Sequence, residues 1–212
     1  MRGLGRLAGT LRLLPALLWK WEAQLRGAEL RGSVVFLGRP ILTLAPGSRM
    51  IFWGENEILS STRCSLIGNI QPCVLRTLTP HARLELGKGA GMSGAVICAA
   101  STVTIGEGTL LGAGALIFDN DFHRRAGEFS WEHNAFESAK PITIGRGCFI
   151  GARAIIMKGV TIGDRAAVAA GAVVTSNVPS GTVAMGNPAR MFPWLAEKPA
   201  APDSSGAQSQ NY

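Results

Sequence analysis

The chain has 212 residues, enough for one domain of ordinary size with modest extensions. Its 27 glycines among many small aliphatics suggest a backbone that turns often and stacks tightly, and its net charge of +7 suits anionic partners. Neither a basic stripe interleaved with aromatics nor a zinc-finger or recognition-helix signature is seen, which argues against nucleic acid, and the lack of a Rossmann or P-loop glycine fingerprint argues against a fused nucleotide-binding domain.

Residues 1–31 carry Arg2, Arg6, Arg12, Lys20, Arg26 and Arg31 against Glu22 and Glu29. Leu4, Leu7, Leu11, Leu14, Leu18, Trp21 and Leu25 recur in steps of three and four, the spacing of an amphipathic helix, with Pro15 marking a safe start. The uncharged run Leu13–Trp19 is short of the roughly 20 apolar residues that a membrane span needs. No small-x-small cleavage site follows, so a cytoplasmic chain is expected. Two roles remain open for residues 1–30: a cap on the domain that follows, or a peripheral contact with the inner face of a membrane through leucines, Trp19, Trp21 and the flanking cations.

Residues 33–80 show broken fragments of a repeat, such as Ile67-Gly68-Asn69. A clear array begins at Leu86, Met92 and Cys98 and resumes, one residue late, at Ile105, Leu111 and Ile117. A second runs without a slip through Ile144, Ile150, Ile156, Ile162, Val168 and Val174. Cys148, Ala154, Val160, Ala166 and Ala172 stand four positions after the first five, and Gly145, Gly151 and Gly163 directly follow their aliphatics. Period six fits neither an α-helix nor an alternating strand. It fits short strands that each point one aliphatic inward and then turn sharply, where glycine tolerates unusual backbone. Three hexads close a triangular coil, and stacked coils satisfy one another's backbone groups.

The expected architecture is therefore all-β, a parallel β-helix over residues 32–193. A loop insertion at 119–140 breaks the period, and loops of that length inside a compact domain are usually functional or disordered. The segment 194–212, rich in Ala, Pro, Ser and Gln, reads as a disordered tail. The four cysteines (Cys64, Cys73, Cys98 and Cys148) form no C-x-x-C pair; Cys98 and Cys148 fall on inward positions and read as small buried hydrophobes.

The stretches TVTIGEGTLLGAGALIFDNDFH (102–123), PITIGRGCFIGARAIIMKGVTIGDRAAVAAGAVVT (141–175) and GNPAR (186–190) resemble the hexapeptide-repeat acyltransferases. The branch they are most similar to is the maltose and galactoside O-acetyltransferases and the O-acetyltransferases of surface-polysaccharide biosynthesis. The resemblance implies a left-handed helix and a homotrimer, with acetyl-CoA, and no metal, in the groove between neighbouring subunits. It implies that His123 is the catalytic base. Backbone amides at Gly151, Ala152, Ala169 and Ala170, with Lys158 and Arg190, are the expected cofactor contacts. Ser93 stands where many relatives carry asparagine, and Phe149 where a tryptophan is frequent. Ser93 and Trp131 are the candidate acceptor contacts.

The chemistry asks for one base. A thioester is already activated, and the attacking hydroxyl or amine must lose a proton that a neutral imidazole can take, an effect of about 10²–10⁴-fold. Asp119 and Asp121 are close enough in sequence to orient His123. His133 reads as a surface loop residue and His81 as structural or exposed. Three-histidine zinc binding, as in gamma-type carbonic anhydrases, needs two histidines five apart, whereas His123 and His133 are ten apart. Two function classes follow: acyl transfer to a saccharide of the cell envelope or exopolysaccharide, and a non-catalytic β-helix scaffold. The histidine at the Asp-Phe-His turn favours the first.

Overall fold

The computed structural model describes residues 16–62, 68–134 and 136–194; residues 1–15 with Pro15, Cys64, Ile67 and the tail from 195 lie outside them. A helix, α1 (residues 16–25), precedes six coils of three strands. The first coil holds β1 (Glu29–Leu30), β2 (Val34–Leu37) and β3 (Ile41–Thr43), and the second β4 (Arg49–Phe52), β5 (Asn56–Leu59) and β6 (Val74–Thr77). The third holds β7 (Arg83–Leu86), β8 (Gly91–Ser93) and β9 (Val96–Ala99), and the fourth β10 (Thr102–Ile105), β11 (Leu110–Leu111) and β12 (Leu116–Phe118). The loop then carries β13 (His123–Arg125) and β14 (Trp131–His133). Coil five is β15 (Ile142–Ile144), β16 (Phe149–Ile150) and β17 (Ile155–Ile156), and coil six β18 (Thr161–Ile162), β19 (Ala167–Val168) and β20 (Val173–Val174). A terminal hairpin, β21 (Thr182–Met185) with β22 (Arg190–Pro193), closes the series.

First, second and third strands of successive coils stack into three sheets, here A, B and C, parallel except for β22 on sheet B. The prism is the all-β, left-handed parallel β-helix that the hexad spacing and the resemblance lead one to expect. Each sheet contributes one inward column to the core. On sheet C, Leu42, Leu75, Ile97, Ile117, Ile156 and Val174 stack in register and are all buried. Burying each such side chain contributes about 1.5–3 kcal/mol. Ile97, not Cys98, holds the inward position in β9. Cys98 pairs with Arg76 and Phe118 on the outer side, although neighbours still cover it. Cys73 and Cys148 are buried free thiols, as expected of small hydrophobes, and burial raises the pKa of both.

The corners explain the glycines in a way that spacing did not. At seven of the nine corners of coils four to six, the third residue after the inward aliphatic takes positive φ: Gly108, Gly114, Gly147, Gly159 and Gly171, with Arg153 and Arg165 in the same role. The glycine directly after the aliphatic serves close approach instead. A Cβ on Gly106 would sit 2.3 Å from the Gly145 carbonyl oxygen of the next coil.

The β-helix begins earlier than the clean repeat. Val34 stacks on Asn56 and Ile58 on Met92, offsets of 22 and 34 positions, whereas Thr143 stacks on Thr161 at 18. Most of the extra length lies between β5 and β6. There Asn69 Nδ2 donates to the Leu59 carbonyl at 2.8 Å.

Before the first coil, α1 lies across the open end. Ala23 is fully buried in the same core, and Trp19 packs against it. The Arg26 guanidinium donates to the Leu42 carbonyl at 3.1 Å, and Glu22 accepts from both Arg26 and Arg39. This is the capping role. No helix of the described residues is long and apolar enough to cross a membrane.

Candidate active site

The loop leaves the C–A corner of coil four, and its ends are fastened there. Lys140 N donates to the Asp119 carbonyl at 2.8 Å, which ties the two ends of the insertion together. Asp119 and Asn120 are both fully buried. The Asp119 carboxylate accepts the backbone N–H groups of Ala100 and Ser101, each at 2.7 Å, from the same corner of the preceding coil. Bonds of this charge-assisted kind contribute about 1.5–3 kcal/mol each. Asp119 is thus spent on anchoring the loop base, and its oxygens face the turn below rather than the His123 ring.

From that anchor the chain reverses. Asn120 Oδ1 accepts the Phe122 N–H at 2.9 Å, and Phe122 adopts φ of 60°. A bulky side chain in that region costs about 1–2 kcal/mol, and such outliers cluster at functional sites. The Phe122 ring rests on Phe118, centroids 5.7 Å apart. The turn delivers His123 to the first position of β13, exposed to solvent.

The loop is not structureless. β13 and β14 pair as an antiparallel hairpin in the register His123 with His133, Arg124 with Glu132 and Arg125 with Trp131. The two imidazoles meet edge to face, centroids 4.8 Å apart at 76°. Arg124 Nε donates to Glu132 at 2.5 Å, and the Arg125 guanidinium lies 6.0 Å from the Trp131 ring centre. Sequence reasoning placed His133 on the surface, which holds, but missed that it faces His123. Gly127, midway between the two, was the available turn signal.

Asp121 accepts from the Lys158 ammonium and from Ser138 Oγ, the latter at 3.0 Å. The Lys158 bond is the main reason that its carboxyl lies below the usual aspartate range. Lys158 therefore belongs to the C–A corner with the loop, where it ties the loop to coil five. It does not join the other expected cofactor contacts. Among the described residues no cluster of three His, Cys, Asp or Glu could hold a metal ion, and His81 is exposed on a different coil.

Those other contacts lie at the B–C corner. Gly151 and Ala152 form it in coil five, Ala169 and Ala170 in coil six, and Ser93 ends β8 on the same edge. These corners are small-residue ladders: Gly151 N donates to the Val168 carbonyl at 2.8 Å and Ala169 N to the Ala184 carbonyl at 2.8 Å. The turn at 186–189 bonds to Val173 on both its N–H and its carbonyl, which starts Arg190 from this corner too. Sheet C separates the two corners. Between Ala152 and Lys158 the chain turns out of the B–C corner, runs through β17 and enters the C–A corner.

Residues 141–176 match the model of the hexapeptide repeat of succinyl-transferase. That segment, β15 to β20, carries the hexapeptide repeat within the β-helix. It is 48% identical over 60 residues to the 2,3,4,5-tetrahydropyridine-2,6-dicarboxylate N-acetyltransferase of Staphylococcus aureus (strain bovine RF122 / ET3-1), covering 28% of this chain and 25% of the relative. The chain thus spans about a quarter of the length of such curated relatives. The chain also shares its fold with solved structures. A mutant of AntD, an N-acyltransferase from Bacillus cereus in complex with dTDP-4-amino-4,6-dideoxyglucose and coenzyme A, superposes with a TM-score of 0.60 at 13% identity, covering 82% of this chain and 87% of AntD. The polySia-specific acetyltransferase NeuO superposes with a TM-score of 0.51 at 21% identity, covering 85% and 88%.

Proposed function

We propose that the protein transfers an acyl group, acetyl in the simplest case, from coenzyme A to a hydroxyl or amine of a saccharide in envelope or exopolysaccharide synthesis. The observation that carries this reading is the construction around His123. A buried, fully bonded Asp119–Asn120 anchor and a strained Phe122 hold one exposed imidazole at the root of a hairpin. A scaffold has no use for that arrangement. In the reaction, His123 takes the acceptor's proton as the acceptor oxygen or nitrogen attacks the thioester carbonyl. The C–S bond then breaks, and the thiol of coenzyme A leaves with that proton. The Gly151 and Ala169 N–H groups are taken up by the stack, but the small glycine and alanine side chains of the B–C corner leave room for a long, narrow cofactor arm.

Sheet C stands between the base and that corner within one chain, so we propose a site built from two subunits of a homotrimer. The outer rows of the prism support this. Sheet C presents Ile41, Val74, Val96, Leu116, Ile155 and Val173 in register, and the later coils of sheet B present Leu110, Phe149, Ala167 and Val183. Sheet A presents Glu85, Thr104, Thr143 and Thr161. Two apolar faces and one polar face suit a closed ring of identical prisms. The test is acetyl-CoA consumption in the presence of sugars, nucleotide sugars, amino sugars and lipid-linked glycans. Transfer to at least one class, abolished in His123→Ala, is expected; no binding of coenzyme A at all would contradict the reading.

A further inference from the structure

We propose that the outward face of α1 docks on an anionic lipid bilayer. The helix is apolar on two opposite sides. Ala23 and Trp19 serve the cap, as described above. On the other side Leu17, Leu18, Trp21 and Leu25 are 61%, 57%, 69% and 80% exposed. At about 100° per residue these four fall on an arc of about 100°, centred opposite Ala23. A helix apolar on both faces needs two partners, and the first coil supplies one.

The leucine stripe in the sequence decides which face is which. Its members within the helix are Leu18, Trp21 and Leu25, and these are outward residues, whereas Trp19 and Ala23 lie off the stripe. Capping therefore does not account for the stripe. Charge names the occupant. Lys20, Arg26, Arg31, Arg39 and Arg49 surround this end of the prism against Glu22 and Glu29. Upstream, Arg2, Arg6 and Arg12 precede the helix with no acidic residue before Glu22. Leucines at the acyl boundary, an exposed tryptophan at headgroup depth and flanking cations are the recognition chemistry of an anionic membrane surface. In a ring of parallel prisms the three helices would share one end and bind together. The inference goes beyond acyl transfer and does not depend on it.

The full-length protein is sedimented with vesicles of phosphatidylcholine containing phosphatidylglycerol, and with phosphatidylcholine alone, at low and high salt. Binding to the anionic vesicles, weakened by salt, is expected. The combined change Leu18→Ser, Trp21→Ser and Leu25→Ser should lower binding at least ten-fold, with melting temperature and light-scattering mass unchanged. No binding by the parent at low salt, or equal binding by the variant, would overturn the proposal. A lower melting temperature or a smaller mass would overturn it as well, by showing that the face packs on protein.

Discussion

In coils four to six each inward aliphatic is buried and each coil is bonded along its length to the next, whereas from His123 to Asn134 every side chain is exposed. The prism is held by many small contributions that no single residue dominates. The hairpin is held by a few polar fastenings at its base: Asp119 to the turn at residues 100–101, Lys140 to Asp119, and Asp121 to Lys158. A rigid stack supports a solvent-facing element whose side chains are free to meet substrate, so stability and activity should be separable by mutation.

The largest separation is expected at His123. His123→Ala should lower turnover by about 10²–10⁴-fold in a coenzyme A release assay, with no change in melting temperature, because an exposed side chain adds little to the core. His133→Ala should have a milder effect, through the ring that packs against His123. Undiminished turnover without His123 would mean that the base lies elsewhere. The converse case is Ile156→Ala. It removes a fully buried side chain from the sheet C column and should cost about 2–5 kcal/mol in denaturant unfolding, while activity per folded molecule holds.

A smaller effect tests the fastening itself. The Asp121 carboxyl is held below its ordinary value of 3.8, chiefly by Lys158. A depressed carboxylate contributes fully above its unfolded value and loses that contribution as pH falls through the folded one. At neutral pH, Asp121→Asn should therefore speed amide hydrogen exchange in residues 123–133 relative to wild type. The difference should vanish once the medium is acidic enough to protonate Asp121. A difference that persists there would assign the effect to something other than the Lys158 pair.

Sequence legibility follows the same division. Coils four to six could be read because nearly every side between corners is six residues long. Coils one and two could not, since their offsets of 22 and 34 positions hide the period. Cys98 was assigned inward because the period was carried through a corner that is one residue short, Met92 to Ile97 being five positions. The place of His123 at the root of the loop was legible, because it stands just past the last aliphatic of an array. The duties of Asp119 and Lys158 were not, because they depend on which turn of a neighbouring coil lies beside each. Within residues 16–25 the leucine stripe marks the helix that forms, yet its spacing carried no sign that the helix would cap the prism with its other face.

The shared site is the central claim, and mixed trimers test it most directly. His123→Ala chains, which keep the B–C corner, are co-expressed with Ala170→Trp chains, which keep the histidine but fill that exposed corner. Each homotrimer should be inactive. In random mixtures about one interface in four pairs an intact histidine with an intact corner, so about a quarter of wild-type activity should return. Activity no greater than that of the two variants alone would contradict a site built from two subunits.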